Sequence, residues 1–162
     1  MAILLKKGMR VIVQGITGRE GSARALYMRQ TGTDVVGGVT PGRGGENVQG
    51  IPVFNTVAEA VAKLGHIDVS VPFVPGTALK DAVLEALDSN IRFLVLPVER
   101  VPLHDILEMM AWSKAKDAML LGPGSIGIFV PGVGAVGWLG GSPEFAARAF
   151  VPGPVGVISR SG

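Results

Sequence analysis

The strongest constraint on the fold is a recurring pairing of short aliphatic runs with stretches of helical periodicity. Each run is β-branched or aliphatic and does not alternate with polar residues, which is typical of strands buried on both faces. Strands that alternate with helices predict right-handed βαβ crossovers and a parallel sheet. We therefore predict an α/β fold, a Rossmann-like, doubly wound and mostly parallel sheet with helices on both faces. The predicted strands contain residues 11–13, 35–36, 69–71, 93–96, 119–121 and 155–158.

Four helices are predicted between these strands, over residues 22–30, 57–64, 77–87 and 102–116. In the third and fourth, apolar residues recur at intervals of three and four, so that each helix has one apolar face. We expect both faces, together with Trp112 and the methionines, to lie in the core. The faces consist of Ala78, Leu79, Ala82, Val83, Ala86 and Leu87 in the third helix and of Leu103, Ile106, Leu107, Met110 and Ala111 in the fourth.

Length and composition exclude several classes of function. A chain of 162 residues fits one domain, and we predict a single domain over residues 1–162. The absence of cysteine excludes disulfides, iron–sulfur clusters and thiolate zinc sites, and the separated His66 and His104 do not suggest a metal site. A net charge of +2 is too small for a nucleic-acid-binding surface. No apolar run reaches the roughly 18 residues of a membrane span, and no secretory signal is present, so the expected location is cytoplasmic.

The loop after the first predicted strand is rich in glycine and opens the first predicted helix. Gly15, Gly18 and Gly21 are spaced three apart, which differs from the G-x-G-x-x-G spacing of the common dinucleotide-binding loop. Glycines let the backbone approach an anion closely, and the N–H groups of a helix N-terminus attract negative charge. Thr17 and Arg19 add a hydroxyl and a positive charge. The loop therefore favours anion binding over the alternative, a tight turn that needs glycine for its geometry alone.

The end of the second predicted strand lacks the acidic residue that binds the ribose hydroxyls of NAD. That place reads GGVTPGR over residues 37–43, and Asp34 begins the strand instead of ending it. Arg43 is suited to binding a phosphate, which suggests a ligand with a phosphorylated ribose. NADP and coenzyme A (CoA) both carry one. The alternative for Arg43 is a solvated loop residue.

Five stretches of this sequence resemble one known family. They read QGITGREG, VVGGVTPGRGG, GIPVFNTVAEAV, VPGTALKDAVLEALDSNI and, at the end of the chain, VGVISRSG. Together they are similar to the amino-terminal CoA-binding domain of the succinyl-CoA synthetase α subunit, in the family of NDP-forming acyl-CoA synthetases. The resemblance extends from about residue 3 to residue 162. A G-x-T-G-x-x-G loop followed by V-x-P-G-(K or R)-G-G is more specific than either motif alone.

The resemblance implies a site for CoA and assigns residues to it. Arg43 takes the place of a lysine that is usual in the family. The segment after the fourth strand, often I-T-E in the family, reads Pro-Val-Glu here, so that only its glutamate matches. Val74 and Pro75 match a V-P pair expected near the adenosine or the pantetheine. The implied cofactor-binding residues are Thr17, Gly18, Arg19, Glu20, Arg43, Pro97, Val98 and Glu99.

Two departures from the family pattern concern the thiol end of CoA. Where the family commonly reads G-P-N-C-x-G, this chain has Gly124 and Ser125 at the Asn and Cys positions. The stretch at residues 133–150 also differs from the usual family sequence. Both departures suggest a different carboxylic acid substrate.

The resemblance implies that the chemistry lies outside this chain. Family catalysis passes a phosphoryl group from a nucleotide to a histidine and then to the carboxylate, before the CoA thiol attacks the acyl phosphate. That histidine belongs to a second domain, and a separate β subunit of ATP-grasp type holds the nucleotide. Neither His66 nor His104 lies in a matching motif. We therefore predict no catalytic residue here, a β subunit and a carboxylic acid as partners, and a role in the tricarboxylic acid cycle.

Three functions stay open at this point. The first is the CoA-binding domain of an acyl-CoA synthetase α subunit, and the second is a stand-alone CoA-binding protein with a regulatory or carrier role and no ligase activity. A histidine-containing reading frame beyond Gly162 would support the first, and a stop codon there the second. The third, an NADP-dependent oxidoreductase, is disfavoured because no Tyr-x-x-x-Lys accompanies the loops and Tyr27 lies in the first helix. We also expect residues 129–153 to be the region that most exposes apolar surface.

Overall fold

Seven strands form one sheet in the computed structural model, which describes residues 4–139, 141–151 and 153–154. The strands are β1 (Arg10–Gln14), β2 (Asp34–Val39), β3 (Asn47–Val48), β4 (Ile51–Phe54), β5 (Val69–Pro72), β6 (Phe93–Val95) and β7 (Met119–Leu121). Their spatial order is β3-β4-β2-β1-β5-β6-β7. All neighbouring strands are parallel except β3 and β4, which form an antiparallel pair.

Helices cover both faces of this sheet. Val11 and Val13 of β1 belong to one buried cluster and Ile12 to a second, because successive side chains of a strand point to opposite faces. The first cluster includes residues of α1 (Arg19–Gln30) and of a separate hairpin, β8 (Gly127–Val130) with β9 (Gly134–Gly137). The second includes residues of α2 (Val57–Leu64), α3 (Leu79–Asp88) and α4 (Leu103–Ala115). The predicted doubly wound fold class is confirmed.

Most predicted elements occur near their predicted positions. The second helix has the predicted bounds, whereas α1 begins at Arg19 instead of residue 22 and thus takes in part of the glycine loop. The predicted strand at 155–158 lies outside the described residues. Four further features were not predicted: β3, β4, the β8–β9 hairpin and a fifth helix, α5 (Pro143–Ala149). These elements are short, at two to seven residues, and all but β3 contain glycine or proline, so that hydrophobic periodicity gives no signal for them.

The predicted core face of α4 is wrong except at Ile106, which packs against the second buried cluster. Leu103, Leu107, Met110 and Trp112 are exposed, at 71, 55, 57 and 41 %, while Met109 is fully buried. Lys80 of α3 lies beside α4, and its Nζ forms ion pairs of 3.1 Å with both Asp105 and Glu108. The hydrogen bond with Asp105 is the largest cause that raises the pKa of Lys80.

The glycine- and proline-rich region at 129–153 exposes fewer large apolar side chains than α4. Trp138, Phe145 and Val151 are exposed there, while Ala135, Val136 and Ala146 are buried. Among the described residues, the most exposed apolar row therefore lies on α4, and the expectation for 129–153 holds only in part.

The path of the chain through the sheet reverses at β1. β2 and β4 lie on one side of it and β5, β6 and β7 on the other. The Phe73 N–H donates to the Gln14 carbonyl oxygen at 2.8 Å and holds the carboxyl ends of β5 and β1 together. In doubly wound sheets, ligands bind at the carboxyl ends of strands beside such a reversal. The fold therefore directs attention to the loop that follows Gln14.

Candidate ligand-binding groove

The loop between β1 and α1 requires two of its three glycines for its own geometry. Gly15 has a φ of +76°, and a Cβ there would lie 2.3 Å from the carbonyl oxygen of Phe73. At Gly21, a Cβ would lie 2.2 Å from the carbonyl oxygen of Gly15. Gly18 has extended backbone, and its Cβ would meet only the Gly15 oxygen at 3.3 Å. The alternative of a purely geometric turn accounts for Gly15 and Gly21 and leaves Gly18 unexplained.

Gly18 is the N-cap of α1 and leaves the end of that helix open. It supplies no side-chain cap, so the N–H groups of the first turn lack an acceptor within the helix. Those groups and the positive end of the helix dipole favour an anion. A glycine at this position lets an anion reach the N–H groups without meeting a side chain.

Two cavities adjoin at this helix end and together form the groove. The β2-side cavity, of about 630 Å³, lies between the end of β2 and α3. The β6-side cavity, of about 520 Å³, lies between the start of α1 and the segment after β6. Both volumes are within the range of ligand sites. The two cavities share Gly18, Phe73, Val74 and Pro75.

The predicted residues of the glycine loop all line this groove. Thr17 lines the β2-side cavity, and Gly18 lines both cavities. The Thr17 and Thr40 hydroxyl oxygens lie 3.2 Å apart, which ties the loop to the end of β2. Arg19 and Glu20 line the β6-side cavity from the first turn of α1.

Pro97, Val98 and Glu99 line the β6-side cavity from the other side. The Gly124 N–H donates to the Val98 carbonyl oxygen at 2.9 Å. The segment with Gly124 and Ser125, the first of the two family departures, therefore lies directly behind residues 97–99. A contact through the backbone of this segment is compatible with the proline and valine found here.

Arg43 does not line either cavity. It is the last residue of a turn that begins at Thr40, in which the Arg43 N–H donates to the Thr40 carbonyl oxygen at 3.0 Å. Its guanidinium forms two hydrogen bonds with the Glu46 carboxylate, the one from Nη2 at 2.9 Å. This side-chain hydrogen bonding raises the pKa of Arg43 and lowers the pKa of Glu46. Arg43 is thus near the β2-side cavity but is engaged by a carboxylate.

Sequence reasoning missed several residues that line the groove. In the β6-side cavity, the Arg24 guanidinium lies 4.5 Å from the centre of the Trp138 ring and forms a 3.1 Å ion pair with Glu20. In the β2-side cavity, Asp81 and Glu85 of α3 face the loop. The only available signals were the spacing of these two acids and a tryptophan among glycines. Neither signal identifies a partner more than fifty residues away in the sequence.

Two negative findings apply to the part of the chain that the structure describes. No group of three or more histidine, aspartate or glutamate side chains there could hold a metal ion. No helix there has both the length and the apolar character needed to cross a bilayer.

Comparison with protein families gives one match, to the CoA binding domain, over residues 6–98. The matched range is more than half of the chain. It contains the glycine loop, Arg43 and the groove-lining residues Val74, Pro75, Pro97 and Val98. The expected resemblance is therefore confirmed.

Proteins of similar sequence are named as subunits of ADP-forming CoA ligases. The ADP-forming succinate–CoA ligase α subunit 1 of Archaeoglobus fulgidus is 48 % identical over the whole of this chain, which covers 53 % of that protein. An ADP-forming sulfoacetate–CoA ligase subunit of Bilophila wadsworthia is 40 % identical, again over the whole chain and 54 % of that protein. The chain thus spans about half the length of these relatives.

A solved structure supports the fold. The ATP citrate lyase of Methanothrix soehngenii, in complex with citrate and coenzyme A, superimposes with a TM-score of 0.76. The match covers 89 % of this chain and 25 % of that one, at 20 % identity. At this identity the likeness concerns the fold alone.

Proposed function

Because the chain belongs to the CoA-binding domain family, we propose that it binds CoA for an NDP-forming acyl-CoA synthetase of the succinyl-CoA synthetase type. In that role it is the CoA-binding part of an α subunit. The observation that carries the proposal is the uncapped N-terminus of α1, which opens between two adjoining cavities. CoA has the matching form, with a diphosphate between two larger halves.

The groove suggests one orientation for the ligand. The diphosphate would accept hydrogen bonds from the first-turn N–H groups of α1 beside Gly18. The adenosine would occupy the β2-side cavity, which Thr40 and Pro41 line, so that the ribose phosphate would lie towards Arg43 in the same loop. The pantetheine would follow the β6-side cavity along Pro97, Val98 and Glu99 towards Trp138.

The finer parts of this function rest on the relatives. Those named above are subunits of ADP-forming ligases, which supports a β-type partner subunit. We propose that this partner is of ATP-grasp type and handles the nucleotide, that the substrate is a carboxylic acid, and that the protein acts in the cytoplasm. The ligase relatives favour this function over a stand-alone regulatory or carrier protein.

Calorimetric titration with three ligands tests the proposal. We expect CoA to bind more tightly than dephospho-CoA, and NADP to bind weakly, because NADP offers no pantetheine for the β6-side cavity. The three share an adenosine diphosphate portion, so the comparison isolates the parts that differ. Binding of NADP as tight as that of CoA would contradict the assignment.

An Arg43→Ala variant should lose affinity for CoA and little affinity for dephospho-CoA. A charge-assisted hydrogen bond to a phosphate is lost only with the ligand that carries the 3′-phosphate, which predicts a CoA affinity about 10-fold lower. Calorimetry with both ligands measures the difference. Arg43→Lys, which keeps the charge, should recover part of the loss. Equal losses for CoA and dephospho-CoA would remove Arg43 from this role.

A Glu46→Gln variant should bind CoA more tightly, by about two- to fivefold, the scale of an exposed ion pair. The Glu46 carboxylate holds the Arg43 guanidinium in two hydrogen bonds and would compete with the ribose phosphate for it. Dephospho-CoA affinity should change less, since that ligand makes no use of Arg43. Salt-dependent titrations of both ligands measure the effect. A weaker affinity for CoA would show that Glu46 positions Arg43 instead of competing for it.

A further inference from the structure

Two carboxylates of α3, Asp81 and Glu85, face the β2-side cavity one helical turn apart. They are unexpected in a groove proposed to hold a ligand with several phosphate groups. Their surroundings differ, and the difference assigns them separate roles.

The Glu85 carboxylate accepts hydrogen bonds from other residues of the chain. Its Oε1 accepts a 2.7 Å hydrogen bond from the Val57 N–H at the start of α2, and its Oε2 lies 3.5 Å from Nε2 of Gln14. Gln14 is buried, donates to the Ala82 carbonyl oxygen at 3.0 Å and accepts from the Ser70 hydroxyl at 2.8 Å. Glu85 therefore has a scaffold role, in which it fixes α3 against the start of α2, while Gln14 ties α3 to the end of β1 through Ala82.

Asp81 is the free member of the pair. It is exposed at the edge of the cavity, and within the described part of the chain its carboxylate has no hydrogen-bond or ion-pair partner. Because Glu85 and Gln14 fix the helix that carries it, the backbone of Asp81 has a defined place at the cavity edge.

The walls of the β2-side cavity suit a flat aromatic base. Val39 and Pro41 line one side, and Val74, Pro75 and Ala78 line another. Apolar lining with a few polar groups is usual for such sites. The charges around the cavity then determine the orientation of the adenosine. Arg43 lies on the side of β2, and the acids lie on α3, so the ribose phosphate is attracted to the first side and repelled from the second.

The group that Asp81 can recognise follows from the chemistry of adenine. The ring nitrogens of the base accept hydrogen bonds, whereas the 6-amino group donates them. That amino group is also the part of the nucleoside farthest from the phosphates. A carboxylate beside it meets a donor and avoids like charge.

We propose that Asp81 accepts a hydrogen bond from the 6-amino group of the adenine and so selects this base, with Glu85 and Gln14 as positioning residues. This inference rests on the proposed function, since it names the adenine as the part of CoA that the β2-side cavity recognises.

Calorimetric titration of the full chain tests it with CoA and with a CoA analogue that has hydrogen in place of the 6-amino group. We expect the wild type to bind CoA about 10-fold more tightly than the analogue, as for a hydrogen bond to a charged group. In Asp81→Ala the ratio should fall to between one and two. The ratio is the readout because loss of a negative charge near the phosphates changes both affinities together.

Asp88→Ala is the matched control. Asp88 ends the same helix, lies outside both cavities and pairs with Lys116 at 3.0 Å. It should keep the 10-fold ratio. An equal affinity of the wild type for both ligands, or an unchanged ratio in Asp81→Ala, would overturn the role of Asp81 and leave CoA binding intact. Failure of the wild type to bind either ligand would instead overturn the proposed function.

Discussion

A Gly18→Asp variant should be as stable as the wild type or slightly more stable, and should lose at least about 100-fold in affinity for CoA. Gly18 has φ −73° and ψ 160°, a conformation open to any residue, and it is the N-cap of α1. Aspartate is a better N-cap than glycine by a few tenths of a kcal/mol and also interacts favourably with the helix dipole. The same carboxylate would occupy the first-turn N–H groups and repel the diphosphate, and like charges in contact cost several kcal/mol.

Urea unfolding and calorimetry on one preparation measure both effects. Gly18→Ser is the control, because serine also caps a helix but brings no charge, and it should bind CoA more tightly than Gly18→Asp does. Retained CoA affinity in a folded Gly18→Asp protein would show that the diphosphate does not lie at this helix end.

A Gly15→Ala variant should lose about 2–5 kcal/mol of unfolding free energy. The left-handed conformation at φ +76° costs an alanine about 1–2 kcal/mol. The added Cβ would also lie 2.3 Å from the Phe73 carbonyl oxygen and 3.0 Å from its carbon, and overpacking of this kind costs about 1–3 kcal/mol more. Both contacts are with backbone at the end of β5, which cannot turn away as a side chain can.

Gly42→Ala separates the two causes. Gly42 has nearly the same φ, +77°, but a Cβ there meets nothing within 4 Å. It should therefore lose only about 1–2 kcal/mol, the conformational part alone. Urea denaturation of the two variants and the wild type provides the comparison. Equal losses in the two variants would mean that the approach of Gly15 to Phe73 adds no strain.

The fold was predictable because its signals are local. Aliphatic runs such as Val11 to Val13 identify buried strands without knowledge of their neighbours, and the right-handed crossover rule then orders them. The rotation of α4 was not predictable in the same way. Apolar residues occur on more than one side of that helix, and the side that faces inward is set by its packing against the rest of the second cluster, in which Met109 is buried while Met110 is exposed.

The candidate site was predictable only where one short segment contains it. The strand–glycine loop–helix arrangement identified the open end of α1, and the groove contains Thr17 to Glu20 as the sequence suggested. Asp81 and Trp138 line the groove because α3 and the segment after β9 pack beside it. No local sequence pattern predicts that packing. Arg43 was identified by residue type, but its engagement with Glu46 depends on the conformation of the turn.

The hydrogen bond from the Val57 N–H to the Glu85 carboxylate joins the start of α2 to α3. Amide hydrogens in the first turn of a helix ordinarily exchange with water quickly, because they lack an intrahelical acceptor. The Val57 N–H instead donates to a side-chain oxygen of α3, with an N to O distance of 2.7 Å, so that its exchange requires this bond to break first. We therefore expect the Val57 amide to exchange more slowly than other first-turn amides that lack an acceptor. A ligand that rigidifies α3 from the β2-side cavity would slow exchange at the start of α2, a helix that does not line that cavity.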